Sequence, residues 1–262
     1  MAQQARTSAQ TQLPQEAYQY ANMYQLGNPL AVYRVSFRQS IILGILCLPF
    51  AALFAGVAIS GGSSGITIVF MLVLALLCVV GGVYYLIVYP LIHGAWRIYS
   101  CTDGFLFLKG SHPIPCRWDQ VAFVWQRIVR HYTNGVYTGT TFKYTICRAD
   151  GFEIIIDQKF RSASQLGIQA QREVTRRLTP QALAAFNAGQ TLQFGPFNVS
   201  RQGLATPKEM IPWGEVQQVS ANRGMVVIQR RGQRRAKSYA GVDKVPNLYV
   251  FFNVADAIVQ KR

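Results

Sequence analysis

"MIPWGEVQQV" (Met210–Val219) restates, about a hundred residues later, a phrase already present in "PIPCRWDQVAFV" (Pro113–Val124). Each carries Ile-Pro, then a tryptophan, a polar pair and two valines three residues apart. Around each phrase the pattern is that of short β strands and tight turns, and each is followed further on by an amphipathic helix. The repetition is read as an internal duplication. Trp118 and Trp213 should plug a curved sheet, with Val121, Val124, Val216 and Val219 near the same cores.

Upstream of the first phrase the chain changes character. Between Ile41 and Trp96 there is no Asp, Glu, Lys or Arg. Two apolar runs, Ile41–Ser60 and Ile66–Ile92, are separated by "GGSSG" at Gly61–Gly65. At 1.5 Å per residue, about 20 helical residues cross the ~30 Å hydrocarbon core of a bilayer. Neither run shows the polar stripe of a soluble helix. The spacing predicts a two-helix membrane hairpin over 41–92, kinked at Pro49, with Ala51, Ala52, Ala55 and Gly56 facing Gly81 and Gly82. Arg34 and Arg38 precede it, Arg97 and Lys109 follow it, and the connecting loop is uncharged. The positive-inside rule then puts both termini in the cytoplasm of a multi-pass cell-membrane protein. Tyr84, Tyr85, Tyr89 and Trp96 fall where interfacial anchors sit.

Four further segments complete the division. Residues 1–26 are Gln-, Ala- and Ser-rich and read as a disordered tail. Residues 27–40 form a juxtamembrane β-type segment, "LAVYRVSF", which could return to pair with the cytosolic sheet. Residues 96–189 make the first β-plus-helix unit, with turns at Asp103-Gly104, Asn134-Gly135 and Asp150-Gly151. Its helix repeats Leu166, Ala170, Val174 and Leu178 at four-residue spacing, and Thr179-Pro180 starts a short second helix. Residues 190–262 make the second unit, ending in a helix whose buried face is expected to hold Leu248, Phe251, Phe252, Ala255, Ile258 and Val259.

At "DGFLFL…IPCRWDQV", "RQGLATPKEMIPWGEV" and "VPNLYVFFNVADAI" the chain resembles bacterial membrane proteins with pleckstrin-homology-like cytosolic domains. It is most similar to a family whose members end in Gly-Leu…Ile-Pro-Trp-x-x-Val…Gly…Pro-Asn-Leu, over about residues 27–258. The resemblance implies tandem PH-like antiparallel sheets, each closed by a C-terminal helix, in a membrane α-helical hairpin plus α+β protein. It implies no chemistry, because such folds host lipid, peptide and protein binding alike.

Signals for catalysis are weak. His93, His112 and His131 lack metal-ligand spacing, and no phosphate loop or nucleophile motif is present. Asp103 and Asp150 are explained by turns. Cys101, Cys116 and Cys147 have no C-x-x-C spacing and read as buried small hydrophobes. No catalytic set, metal site or cofactor is expected.

The strongest signal is basic. The net charge is +15, nearly all of it from Arg97 onward. Arg230, Arg231, Arg234, Arg235 and Lys237 surround a hairpin at Gly232, and Arg172, Arg176 and Arg177 lie along the first long helix. Near an anionic leaflet each such side chain is worth about 1 kcal/mol, screened over a Debye length of ~10 Å. The expected partners are the lipid bilayer and its anionic phospholipid headgroups, or an acidic membrane protein. A nucleic-acid partner is disfavoured, because the aromatic-plus-basic stacking patterns of such modules are absent. The function read from sequence is a membrane-anchored, non-enzymatic binding or scaffold module. The alternatives are a structural subunit of a larger membrane complex and an enzyme with a cleft between the two units.

Overall fold

The computed structural model describes residues 13–60, 64–162 and 164–261. It is an α+β chain whose strands form four antiparallel sheets, none of them closed. Two compact units emerge, the first from residues up to Pro115 with Lys159–Arg161, the second from Cys116–Gln158 with the chain beyond Ser162.

In the first unit, α1 (Gln15–Met23) places Ala17 and Ala21 one turn apart against Tyr99, Cys101, Leu106 and Leu108. The expected tail is therefore ordered from residue 13, while residues 1–12 lie outside the described residues. The correction has a simple physical reason. Two alanines at i and i+4 flanked by tyrosines make a thin apolar stripe, which becomes stable only when a sheet covers it. The anticipated return of the juxtamembrane segment is present: β1 (Pro29–Arg34) pairs antiparallel with β2 (Arg97–Cys101). β2 pairs in turn with β3 (Gly104–Lys109), and β4 (His112–Arg117) completes the sheet. The β2–β3 turn is Thr102-Asp103, with Gly104 already in the strand. Val35 forms a bridge to Phe160, so this end of the β1 segment has a partner on its other side as well.

Between β1 and β2 lie two helices long and apolar enough to cross a membrane. They are α2 (Arg38–Ile59), which begins three residues earlier than the expected hairpin, and α3 (Gly65–Val83). α3 continues through a π turn at Tyr84–Val88 into α4 (Tyr89–His93). α2 runs through Pro49 without ending. Small residues make the contact between the helices, but not all the expected ones. Gly44, Ala51 and Ala58, seven apart, are buried on α2, as are Ala75 and Gly82 on α3. A Cβ on Gly44 would stand 2.5 Å from Leu86, whereas Gly56 faces open space. The other faces, from Ile41 to Val83, expose their large aliphatic side chains. At the far end of α4, His93 stacks on Tyr89 at 4.3 Å and meets Trp96 at 4.5 Å.

In the second unit, β5 (Val121–Thr133), β6 (Val136–Arg148) and β7 (Glu153–Asp157) form one antiparallel sheet. Val124, Tyr144, Ile146, Ile154 and Ile156 are buried on one face. α5 (Ser164–Asn187) packs on this sheet, and Gly167 meets the Tyr144 ring so closely that any side chain there would collide. Beyond it, β8 (Leu192–Phe194), β9 (Phe197–Val199), β10 (Gly203–Ala205) and β11 (Met210–Pro212) make a second sheet. β12 (Val216–Asn222), β13 (Met225–Arg230) and β14 (Lys237–Gly241) make a third. Both share one core with α6 (Leu248–Gln260), centred on Trp213, Phe197 and Phe251. Val250 and Val254 belong to the buried face of α6, while Phe252 and Val259 are only half-buried.

The expected break at Thr179-Pro180 does not occur, and α5 is continuous through Pro180. Leu166, Gly167, Ala170 and Val174 are buried in its first half. Leu178, Ala182, Leu183 and Phe186 pack on the Trp213 core. One helix thus serves both β-plus-helix segments, and burial at both ends outweighs the backbone hydrogen bond that proline removes.

The duplicated phrase is duplicated in structure. Four strands in meander order lead to a single 3₁₀ turn, Trp118–Gln120 or Trp213–Glu215, and then to three strands and a helix. Both tryptophans are buried, at 1% and 0% exposure. In the second copy β8 and β9 are joined by Gly195-Pro196. In the first copy the whole apolar hairpin occupies the corresponding β1–β2 connection.

Asn247 fixes the join within the second unit. It sits in the left-handed region at φ 51°, a conformation asparagine tolerates. Its side-chain NH₂ donates to the Ala122 carbonyl at 2.9 Å, and its side-chain oxygen accepts from the Val124 N–H at 2.9 Å. Its backbone N–H donates to the Val124 carbonyl at 3.0 Å. Asn247→Ala should cost about 2–4 kcal/mol by leaving two partly buried backbone groups without partners. Asn247→Asp should cost at least as much, since a carboxylate would face the Ala122 carbonyl. Chemical unfolding of the three proteins checks this; an unchanged midpoint for either variant would refute the role of the side chain.

Candidate basic surface

Arg230 departs from the expected basic cluster. Its side chain is only 13% exposed. One guanidinium nitrogen lies 2.5 Å from Glu209 and another 3.6 Å from Glu215. It also donates to the Tyr239 hydroxyl at 3.4 Å, and that hydroxyl donates to Glu209 at 3.0 Å. The hydrogen bond from Arg230, then that from Tyr239, holds the Glu209 carboxyl below its ordinary range. Burial raises the Tyr239 hydroxyl. Arg230 therefore ties the segment before β11 and the 3₁₀ turn to β13 and β14, and is a structural lock rather than a ligand-facing cation.

Arg231, Arg234, Arg235 and Lys237 behave differently. They occupy the connection that follows β13, around Gly232, and the start of β14, and all four are exposed. None forms an ion pair among the described residues. The Glu209 carboxylate, close enough to sense Lys237, is already engaged by Arg230. The turn thus concentrates four exposed positive charges.

The α5 group is split. Arg172 is exposed. Arg176 is exposed but pairs with Glu173 at 2.8 Å. Arg177 is half-buried, and its charge is felt by Asp119. A bidentate hydrogen bond from Arg117, at 3.1 and 2.8 Å, dominates in holding the Asp119 carboxyl low. The acidic residue of each Trp phrase therefore serves an ion pair, Asp119 with Arg117 two residues away and Glu215 with Arg230 on β13.

Among the described residues no group of three His, Cys, Asp or Glu side chains comes together to hold a metal ion. Burial drives the Cys101 thiol up to about 11 and the Cys116 thiol up to about 12, which leaves neither as a nucleophile at neutral pH. An open groove of about 270 Å³ lies on the β5–β7 sheet, lined by Trp125, Arg127, Lys143, Glu153 and Asp243 among others. It brings two carboxylates to one place. Both are exposed.

The whole chain, residues 1–262, belongs to the family of unknown function DUF6585. No curated protein and no solved structure matches it.

The Arg230 lock has a pH signature. A carboxyl whose folded pKa lies below its unfolded value contributes stability above the unfolded pKa, and loses it as pH falls through the folded one. Glu209→Gln should therefore be less stable than the parent at neutral pH. The gap should close as the medium is acidified through the depressed Glu209 range. Thermal midpoints of the two proteins across that range test this, and a gap independent of pH would show that the carboxylate charge is not what matters.

Proposed function

We propose that this member of DUF6585 is a membrane-anchored, non-enzymatic binding module whose exposed β13–β14 turn meets anionic phospholipid headgroups. The observation that carries the reading is the contrast between Arg230, neutralised by two carboxylates, and Arg231, Arg234, Arg235 and Lys237, which are exposed and unpaired among the described residues. Clustered cations on a turn are attracted to an acidic leaflet. Two apolar helices that expose their aliphatic side chains give the chain a reason to be at a bilayer. Arg172 adds to this surface, while Arg176 and Arg177 are largely engaged elsewhere.

In this proposal α2 and α3–α4 span the cell membrane as an antiparallel pair, with both termini cytoplasmic. The distribution of Arg34, Arg38, Arg97 and Lys109 supports that orientation. Each β-plus-helix repeat acts as a pleckstrin-homology-like unit, a reading supported by the four-strand, three-strand, helix order seen twice.

Two measurements test the proposal. In nanodiscs, hydrogen exchange in residues 230–241 should slow when neutral lipid is replaced by anionic lipid, and recover in high salt. Changing Arg231, Arg234, Arg235 and Lys237 to Gln should abolish the difference; identical exchange in both lipids would remove the lipid role. On intact cells, a cysteine placed at Ser64 should react with an impermeant maleimide. One at Arg235 should react only after permeabilisation, and the reverse pattern would overturn the topology.

A further inference from the structure

The β5–β7 sheet buries one face and opens a groove on the other. Val124, Gln126, Tyr144, Ile146, Ile154 and Ile156 are buried, and Gln171 of α5 donates to Gln126 at 2.5 Å on that side. Strand alternation sends the residues between them to the opposite face. There Trp125, Arg127, Lys143, Thr145 and Glu153 line the groove of about 270 Å³, and Asp243 reaches it from the 3₁₀ turn Val242–Lys244.

The register orders the charges along this groove. Arg127 stands opposite Lys143, Trp125 opposite Thr145, and Glu153 opposite Cys147. From Lys143 to Cys147 along β6 is about 13 Å at the rise of an extended strand. The two cations are therefore at one end and Glu153 at the other, with the half-buried Trp125 and Thr145 between them. β7 reaches no further than Lys143↔Asp157, beyond which β5 and β6 run on as a pair. Asp157 makes no ion pair with Lys143, and among the described residues none of Arg127, Lys143, Glu153 and Asp243 forms an ion pair. Like charges directly opposite each other, as Arg127 and Lys143 are, are unfavourable until an anion sits between them.

We infer that this groove binds a small zwitterion, with its phosphate or carboxylate between Arg127 and Lys143, its ammonium against Glu153 and Asp243, and its linking carbons beside the Trp125 ring. The charge pattern selects this class. An anion alone gains the two cations but meets two carboxylates, and a cation alone meets the reverse. A ligand carrying both signs pairs with all four groups. The volume is that of an amino acid or phosphoethanolamine, below the usual range of drug-sized sites. All four charged side chains are exposed, so water screens each contact and a dissociation constant of about 1 mM is expected. The site is separate from the β13–β14 turn and does not depend on the membrane reading.

The test uses the full chain in non-ionic maltoside micelles, with tryptophan replaced by 5-fluorotryptophan and the Trp125 fluorine resonance assigned from a Trp125→Phe variant. Phosphoethanolamine or γ-aminobutyrate should move this resonance with a dissociation constant about tenfold lower than that of phosphate or ethylamine, which carry one sign of charge each. Arg127→Gln with Lys143→Gln, and Glu153→Gln with Asp243→Asn, should each weaken zwitterion binding about tenfold. The Trp118 and Trp213 resonances, which report the two buried phrases, should stay in place in both variants. Phosphate or ethylamine binding as tightly as both zwitterions overturns the inference. So does a Trp125 resonance that neither zwitterion moves at about ten times the expected constant, or an unchanged affinity in the Glu153→Gln, Asp243→Asn protein. A last arm, in nanodiscs of phosphatidylethanolamine, separates two sources of the same chemistry. A Trp125 resonance already at its bound position and unresponsive to added phosphoethanolamine assigns the site to a lipid headgroup, and one that still titrates assigns it to a free zwitterion.

Discussion

Three hydrogen bonds from Asn247 to the edge of β5 hold the second unit together. Strand edges are rows of unsatisfied donors and acceptors, and a side-chain amide can mimic the edge of a further strand by donating and accepting at once. Because Asn247 also tolerates a left-handed backbone, it can do this while α6 starts immediately after it. α5 makes the same connection by packing: its first half lies on the β5–β7 sheet and its second half on the Trp213 core. The β-plus-helix segments of this unit are therefore not independent beads.

The placement of the apolar hairpin follows a related geometric rule. Adjacent antiparallel strands lie about 4.8 Å apart, and two packed antiparallel helices bring their open ends to within about 8–10 Å. A helical hairpin can therefore replace a two-residue strand connection without disturbing the sheet. The chain uses this at β1–β2, where its repeat has only Gly195-Pro196. One consequence for the proposed function is that the anchor is built into the first repeat rather than strung ahead of it. Removing residues before Arg97 would strip β1 from β2 and leave Phe160 without its bridge to Val35.

The distribution of charge separates structural from available cations. Arg230, Arg117 and Arg148 each meet a carboxylate nearby. Arg231, Arg234, Arg235 and Lys237 are exposed and form no ion pair among the described residues. A large net positive charge raises the energy of a compact state through self-repulsion.

Much of this was legible in the sequence. The charge-free stretch from Ile41 to Trp96, the repeated Trp phrase, the return of "LAVYRVSF" and the Asn134-Gly135 turn all depend on local composition or short-range periodicity. Tertiary structure decided the rest, because each remaining point turns on a partner distant in the chain. Ala17 and Ala21 make a helix only against Tyr99 and Leu106. Pro180 stays helical only because both ends of α5 find cores. Arg230 looked like its basic neighbours until the fold brought Glu209 and Glu215 to it. Sequence alone determined which segments are apolar, repeated and basic, since those are properties of neighbouring residues. The fold decided which charges are cancelled and which strands run on unpaired, since cancellation and pairing require groups that the chain separates by tens of residues.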